Sequence, residues 1–164
     1  DIARALTDAV KITAMLMMLV IAAQIFARFL SFSRVPRELL ALAEPLLNSP
    51  ELLVAILLFT IFLAGMILES AAVIVLFIPI IMPMLKAAEV DLLWFGVAAS
   101  FMIAIGLITP PVGLSAYAAA SAGRILVAEV FRASFLFAVV AGFLVTLVMI
   151  VFPGVVTWLP SHIN

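Results

Sequence analysis

Pro110 and Pro111 stand inside an apolar run, and no other placement in the sequence is as suggestive chemically. A helical N–H bonds the carbonyl four residues back, and proline has no N–H. The carbonyls of Gly106 and Leu107 are therefore expected to lose their helical partners. The residue before a proline is pushed out of the α region, which affects Thr109 and Pro110. Gly106 and Gly113 bracket the site with backbone freedom. Within a bilayer, such non-helical chain is tolerated only when buried in protein or lining a wet cavity. Freed carbonyls, the negative end of the first half-helix and the Thr109 hydroxyl together form an oxygen cage suited to Na⁺. The start of the second half-helix, at Pro111 and Gly113, suits an anionic substrate group.

A matching half comes from Gly65-Met-Ile-Leu-Glu69-Ser70, between two apolar runs. Gly65 and Met66 can expose backbone oxygens, while Glu69 and Ser70 add side-chain oxygens. A carboxylate between apolar runs is costly unless it reaches water, an ion or a partner. Plainer readings of the same residues stay open. A double proline also merely kinks a membrane helix, and Glu69 also marks a loop that reaches the surface. Met66, Met82, Met84 and Met102 read as packing residues, and Ser100, Ser115 and Ser121 as small helix-contact residues.

The elements that must carry these residues follow from composition. The chain is 68% apolar and 10% charged, with a mean hydropathy of +1.46. Soluble domains average about 45–50% apolar and about 25% charged, so the solvent here is lipid. The apolar runs are continuous rather than alternating, which selects helices over a barrel. A net charge of −1 gives no basic field for nucleic acid. The absence of cysteine excludes thiolate metal sites and cysteine nucleophiles, and a single histidine, His162, argues against an imidazole site. No paired acids or nucleophile–base pair occurs at depth, so the chain is not read as an enzyme, and no cofactor is expected. The first residue is Asp1, and the chain is read as part of a longer protein.

Five segments result, all in one membrane domain. Residues 12–32 form a transmembrane helix, with Arg28 snorkelling near its end. Residues 36–47 form an interfacial helix, opened by Pro36 and faced by leucines. Residues 51–87 form a re-entrant hairpin, because each arm is short of the hydrocarbon thickness and only Glu69-Ser70 separates them; Pro79 and Pro83 are expected to interrupt its second arm. Residues 92–122 form a crossing broken at Pro110-Pro111. Residues 133–158 form the last crossing, anchored by Trp158, with Glu129 and Arg132 in a surface turn before it. The fold class is thus all-α integral membrane, with three crossings and a hairpin. Arg4, Lys11, Arg124 and Arg132 share one side and Arg34, Arg37 and Lys86 the other, which favours a cytoplasmic N-terminus.

Gly106-Leu-Ile-Thr-Pro-Pro-Val-Gly113, Gly65-Met-Ile-Leu-Glu-Ser-Ala-Ala72 and Pro79-Ile-Ile-Met-Pro83 resemble the large membrane subunit of tripartite ATP-independent periplasmic (TRAP) transporters, in its C-terminal half. The resemblance implies an elevator-type transporter of two inverted repeats, of which this chain is the second. It implies Na⁺-driven import of organic anions, such as C4-dicarboxylates or sialic acid, across the cytoplasmic membrane of a bacterium or archaeon. Its implied partners are the N-terminal repeat, a small membrane subunit and a periplasmic solute-binding protein. By motif, Gly65, Met66, Gly106, Thr109 and Pro110 would help bind one Na⁺. The chain departs from the family pattern at Glu69, where aspartate is usual, and at Met102, Ala104 and Leu114-Ser-Ala-Tyr117. Two other readings remain: a carboxylate symporter that works without a binding protein, and a non-transporting membrane scaffold.

Overall fold

The computed structural model describes residues 2–162, and these form eight helices with no strand among them: α1 (Ile2–Phe32), α2 (Val35–Leu47), α3 (Pro50–Gly65), α4 (Ser70–Ala87), α5 (Leu92–Ile108), α6 (Leu114–Gly123), α7 (Val127–Val151) and α8 (Gly154–Ser161). Each boundary has a local cause. Pro36 and Pro50 sit in the first turns of α2 and α3, where a missing N–H costs nothing. Asp91 caps α5, its carboxylate accepting from the N–H groups of Leu93 and Trp94 at 2.8 and 3.1 Å.

Several features differ from the sequence reading. α1 begins at Ile2 rather than at residue 12, because the polar residues of its first turns, Arg4, Asp8 and Lys11, continue the helix. α4 runs unbroken through Pro79 and Pro83. It is packed by α1, α2, α3 and α5, and this surrounding contact outweighs the hydrogen bonds that the two prolines remove. α7 begins at Val127, so Glu129 and Arg132 occupy its first turns rather than a surface turn. It ends at Val151 because Pro153 follows, and a separate α8 carries Trp158.

The core lies where α3, α4 and α5 meet, with Leu53, Ile61, Val73, Leu85 and Phe95 all nearly inaccessible. α2 lays Leu39, Leu40, Leu46 and Leu47 against it. Apolar side chains also face outward in quantity: Phe29 on α1 is 64% exposed and Leu136 on α7 is 68% exposed. In a protein solvated by hydrocarbon such faces need no cover. α1 (over Ile2–Leu30), α4 and α7 are long and apolar enough to cross a membrane, whereas α3 and α5 are shorter. By length, then, α4 qualifies as a span in its own right, and α5 falls below that length without α6.

α3 and α5 run side by side in the same direction, and α7 runs opposite to them. At one end, the indole N–H of Trp94 donates to the Met149 carbonyl at 3.1 Å, tying the start of α5 to the end of α7. At the other end, the α3–α4 turn meets the segment between α5 and α6. The hairpin tip therefore stands level with the break, at the opposite end of α5 from Trp94, in a helix of 17 residues, about 25 Å long.

Candidate functional site

Tip and break touch first through glycine. A methyl group built on Gly106 would lie 2.8 Å from the Gly65 carbonyl carbon and 2.8 Å from the Phe62 carbonyl oxygen. One built on Gly65 would lie 3.2 Å from the Ile103 backbone. The obstructing atoms are backbone, so the crossing of α3 over α5 at this level requires glycine at Gly106 and leaves little room for a side chain at Gly65.

Three residues separate Gly106 from the prolines. The Gly106 carbonyl, expected to be free, accepts the Thr109 N–H at 3.0 Å in a tightened last turn. The shift arises because Thr109 has left the helix (φ −101°, ψ 140°), as a residue before proline does. The Leu107 carbonyl keeps the expected character, since the residues three and four positions on are Pro110 and Pro111. Pro110-Pro111 is a cis peptide.

Thr109 is the one buried polar residue among those described, at 5% exposure. Its hydroxyl donates to the Ile105 carbonyl at 2.7 Å. With the proton turned back along α5, the oxygen can act only as an acceptor toward anything else. A buried acceptor of this kind is satisfied by a donor or a cation.

Gly113 closes the break. It adopts a left-handed conformation (φ +53°) that favours glycine, and its N–H donates to the Met66 carbonyl in a long bond of 3.4 Å. Its carbonyl accepts from Ala116 and Tyr117, starting α6. Because the N-cap is glycine, no side chain caps α6. The N–H groups of its first turn are thus left without a side-chain partner at the cap.

The remaining expected residues are placed differently. The Glu69 carboxylate caps α4, accepting the Ala71 N–H at 3.0 Å and the Ser70 hydroxyl at 2.6 Å. The pair thus bond to each other and to the α4 terminus. Pro111 is exposed and Pro110 half-buried. Gly65, Met66, Gly106, Thr109 and Gly113 are drawn together, and Glu69 and Ser70 stand beside them on the hairpin turn.

Any cation at this junction would be held by amide and hydroxyl oxygens, since the described residues contain no cluster of acidic or imidazole ligands. The large groove nearby, about 710 Å³ between α3, α5 and α7, reaches Thr109 at one end, but Val54, Phe59, Met102 and Val139 make it an apolar space unsuited to an anion. Phe131 escaped the sequence reading. Its ring stands where a Gly113 side chain would be, with Cε1 only 2.4 Å from that position. An aromatic between Glu129 and Arg132, in what reads as a surface turn, carries no spacing signal that would have revealed it.

Comparison with known proteins identifies the family of the chain. Residues 1–155 match the family described as "Tripartite ATP-independent periplasmic transporter, DctM component". The 2,3-diketo-L-gulonate TRAP transporter large permease protein YiaN of Escherichia coli is 35% identical over 108 residues, covering 66% of this chain and 25% of that protein. The C4-dicarboxylate TRAP transporter large permease protein DctM of Pseudomonas aeruginosa is 26% identical over 158 residues, covering 96% of this chain and 35% of that protein. The sialic acid TRAP transporter permease protein SiaT of Haemophilus influenzae is 24% identical over 155 residues. No solved structure matches the chain. It thus spans about a quarter to a third of the length of these relatives. With the motifs, the helical architecture and the matched residues in accord, the chain belongs to the DctM component family of TRAP transporters.

Proposed function

We propose that the chain forms the ion-binding part of a Na⁺-coupled permease that imports a small organic anion. The observation that carries the reading is the joint between the Gly113 N–H and the Met66 carbonyl. It brings a helix-breaking segment and a hairpin turn to one place, beside a buried hydroxyl whose proton is already committed. Gly65, Met66, Gly106, Thr109 and Pro110 form the Na⁺ side. The anion sits toward the uncapped start of α6, at Pro111 and Gly113, with Glu69 and Ser70 at the edge. Na⁺ bound between them supplies the charge that an anion needs in a low-dielectric site.

The hairpin is re-entrant in this reading. Its first arm, α3, is 16 residues, about 24 Å against a hydrocarbon layer of about 30 Å, and its tip ends level with the break, although α4 alone is long enough to span. The protein is a multi-pass component of the cytoplasmic membrane, one inverted repeat of an elevator-type transporter. It works with the N-terminal repeat, a small membrane subunit and a periplasmic binding protein that delivers the substrate. The relatives named above are permeases for 2,3-diketo-L-gulonate, C4-dicarboxylates and sialic acid, and carboxylates of that size are the substrate class expected here.

The test is uptake of such carboxylates by the full-length permease in vesicles, under imposed Na⁺ gradients, with and without the binding protein. Accumulation that follows the Na⁺ gradient and requires the binding protein is the expected result. Accumulation indifferent to Na⁺ would sink the ion-site reading, and accumulation without the binding protein would indicate a simple symporter.

A further inference from the structure

Phe131 lies on α7, outside every motif that marks the site, yet it touches the break directly. A methyl group on Gly113 would sit 2.4 Å from Phe131 Cε1 and 2.9 Å from Cζ, with the Thr109 carbonyl oxygen at 3.2 Å. Gly113 is therefore held in a slot between the Phe131 ring and the Thr109 backbone. Tyr117, one turn into α6, meets the same ring edge-on, with centroids 5.8 Å apart and planes at 85°. An aromatic pair of this geometry fixes the ring's orientation.

The slot matters because the break has little else to hold its shape. Residues 109–113 lie between two helices, and Pro110 and Pro111 donate nothing. Their link to the hairpin is the 3.4 Å bond from the Gly113 N–H to the Met66 carbonyl, near the outer limit for such a bond. A bond that long depends on what presses its partners together.

We propose that Phe131 is a positioning residue: its ring fills the space behind Gly113 and keeps the break seated on the hairpin tip, so that the ion-binding oxygens hold their spacing. The inference rests on the ion-site reading above, and it adds a third element, α7, to a site otherwise built from α3 and the α5–α6 segment. Removing the ring opens a void beside Gly113, and a segment without a helical ladder relaxes into it.

Two measurements on purified full-length permease separate this idea from the reading beneath it. The first is binding of radioactive sodium alone. The second is the distance between spin labels on cysteines introduced at Ile67 and Val112, one on the tip and one on the break; these 164 residues contain no cysteine, and any elsewhere in the full-length protein is replaced by serine. Phe131→Ala is expected to broaden that distance and weaken Na⁺ binding about tenfold, and Phe131→Leu, which refills much of the space, to recover most of both. Thr109→Ala, in contrast, is expected to weaken Na⁺ binding with the distance unchanged. An unaltered distance in Phe131→Ala would overturn the proposal. So would a broadened distance with Na⁺ affinity intact. Wild-type protein that binds no Na⁺ would sink the ion-site reading, while the distance measurement would still decide whether Phe131 seats the break.

Discussion

Gly65 and Gly106 face each other so closely that a methyl group on Gly106 would press into the Gly65 carbonyl carbon and the Phe62 oxygen, both at 2.8 Å. Packed helices usually meet through side chains at axis separations of about 8–10 Å. Here main chain meets main chain, which brings the end of α3 within reach of the break.

Gly106→Ala is therefore expected to destabilise the fold by about 1–3 kcal/mol, because the obstructing atoms are backbone and must shift. Gly65→Ala meets its neighbours at 3.2 Å and is expected to cost less. Thermal unfolding of the two purified variants, compared in the same detergent, checks the order. Equal melting temperatures for both and for the wild type would contradict the close crossing.

Thr109→Ala removes the buried oxygen whose proton is given to Ile105. Since a hydrogen-bonding group facing a charge is worth about 1.5–3 kcal/mol, the Na⁺ concentration for half-maximal uptake should rise at least about tenfold. Protein abundance should change much less, and Thr109→Ser should retain most of the affinity. Parallel loss of abundance and uptake would assign Thr109 a structural role instead.

Replacing Pro110 and Pro111 together by alanine restores two N–H donors, for the carbonyls of Gly106 and Leu107. The expected outcome is a continuous α5 and loss of coupled uptake, with the protein still inserted in the membrane. Transport at the wild-type rate by this double variant would count heavily against the site.

Thr146 offers a prediction of the opposite sign. The hydroxyls of Thr7, Thr60 and Thr109 each donate to the carbonyl four residues back, whereas the buried Thr146 hydroxyl has no partner. It sits among Leu58, Ala98, Met102 and Met149. Thr146→Val keeps the shape and removes the unmatched polar atom, so it should stabilise the protein by about 1 kcal/mol. A lowered melting temperature would mean that the hydroxyl is bonded after all.

Much of this was legible in the residues. Continuous apolar runs specify helices in lipid, and Pro110-Pro111 between Gly106 and Gly113 points to the break found between α5 and α6. The hairpin turn followed from Gly65 and the polar pair Glu69-Ser70. What could not be read was anything decided by neighbours. Pro79 and Pro83 look like interruptions, yet α4 is gripped from several sides and continues through them. Glu69 looks like a ligand, and it caps its own helix. The Gly106 carbonyl looked free, and the chain leaving the helix supplied it with the Thr109 N–H. The Gly65–Gly106 crossing and the Phe131 ring depend on which helices lie together, which no single run of sequence encodes.

One consequence follows from the direction of the Thr109 proton. Amides do not titrate in the physiological range, and a hydroxyl that has already given its hydrogen to Ile105 offers nothing that acid can neutralise. Gly65, Met66, Gly106, Thr109 and Pro110 thus make a nest whose charge state is the same at about pH 5 and pH 8, where only histidine-like groups respond. If these residues hold the coupling ion as proposed above, their own charge gives acid nothing to neutralise, and affinity for that ion should stay level between about pH 5 and pH 8.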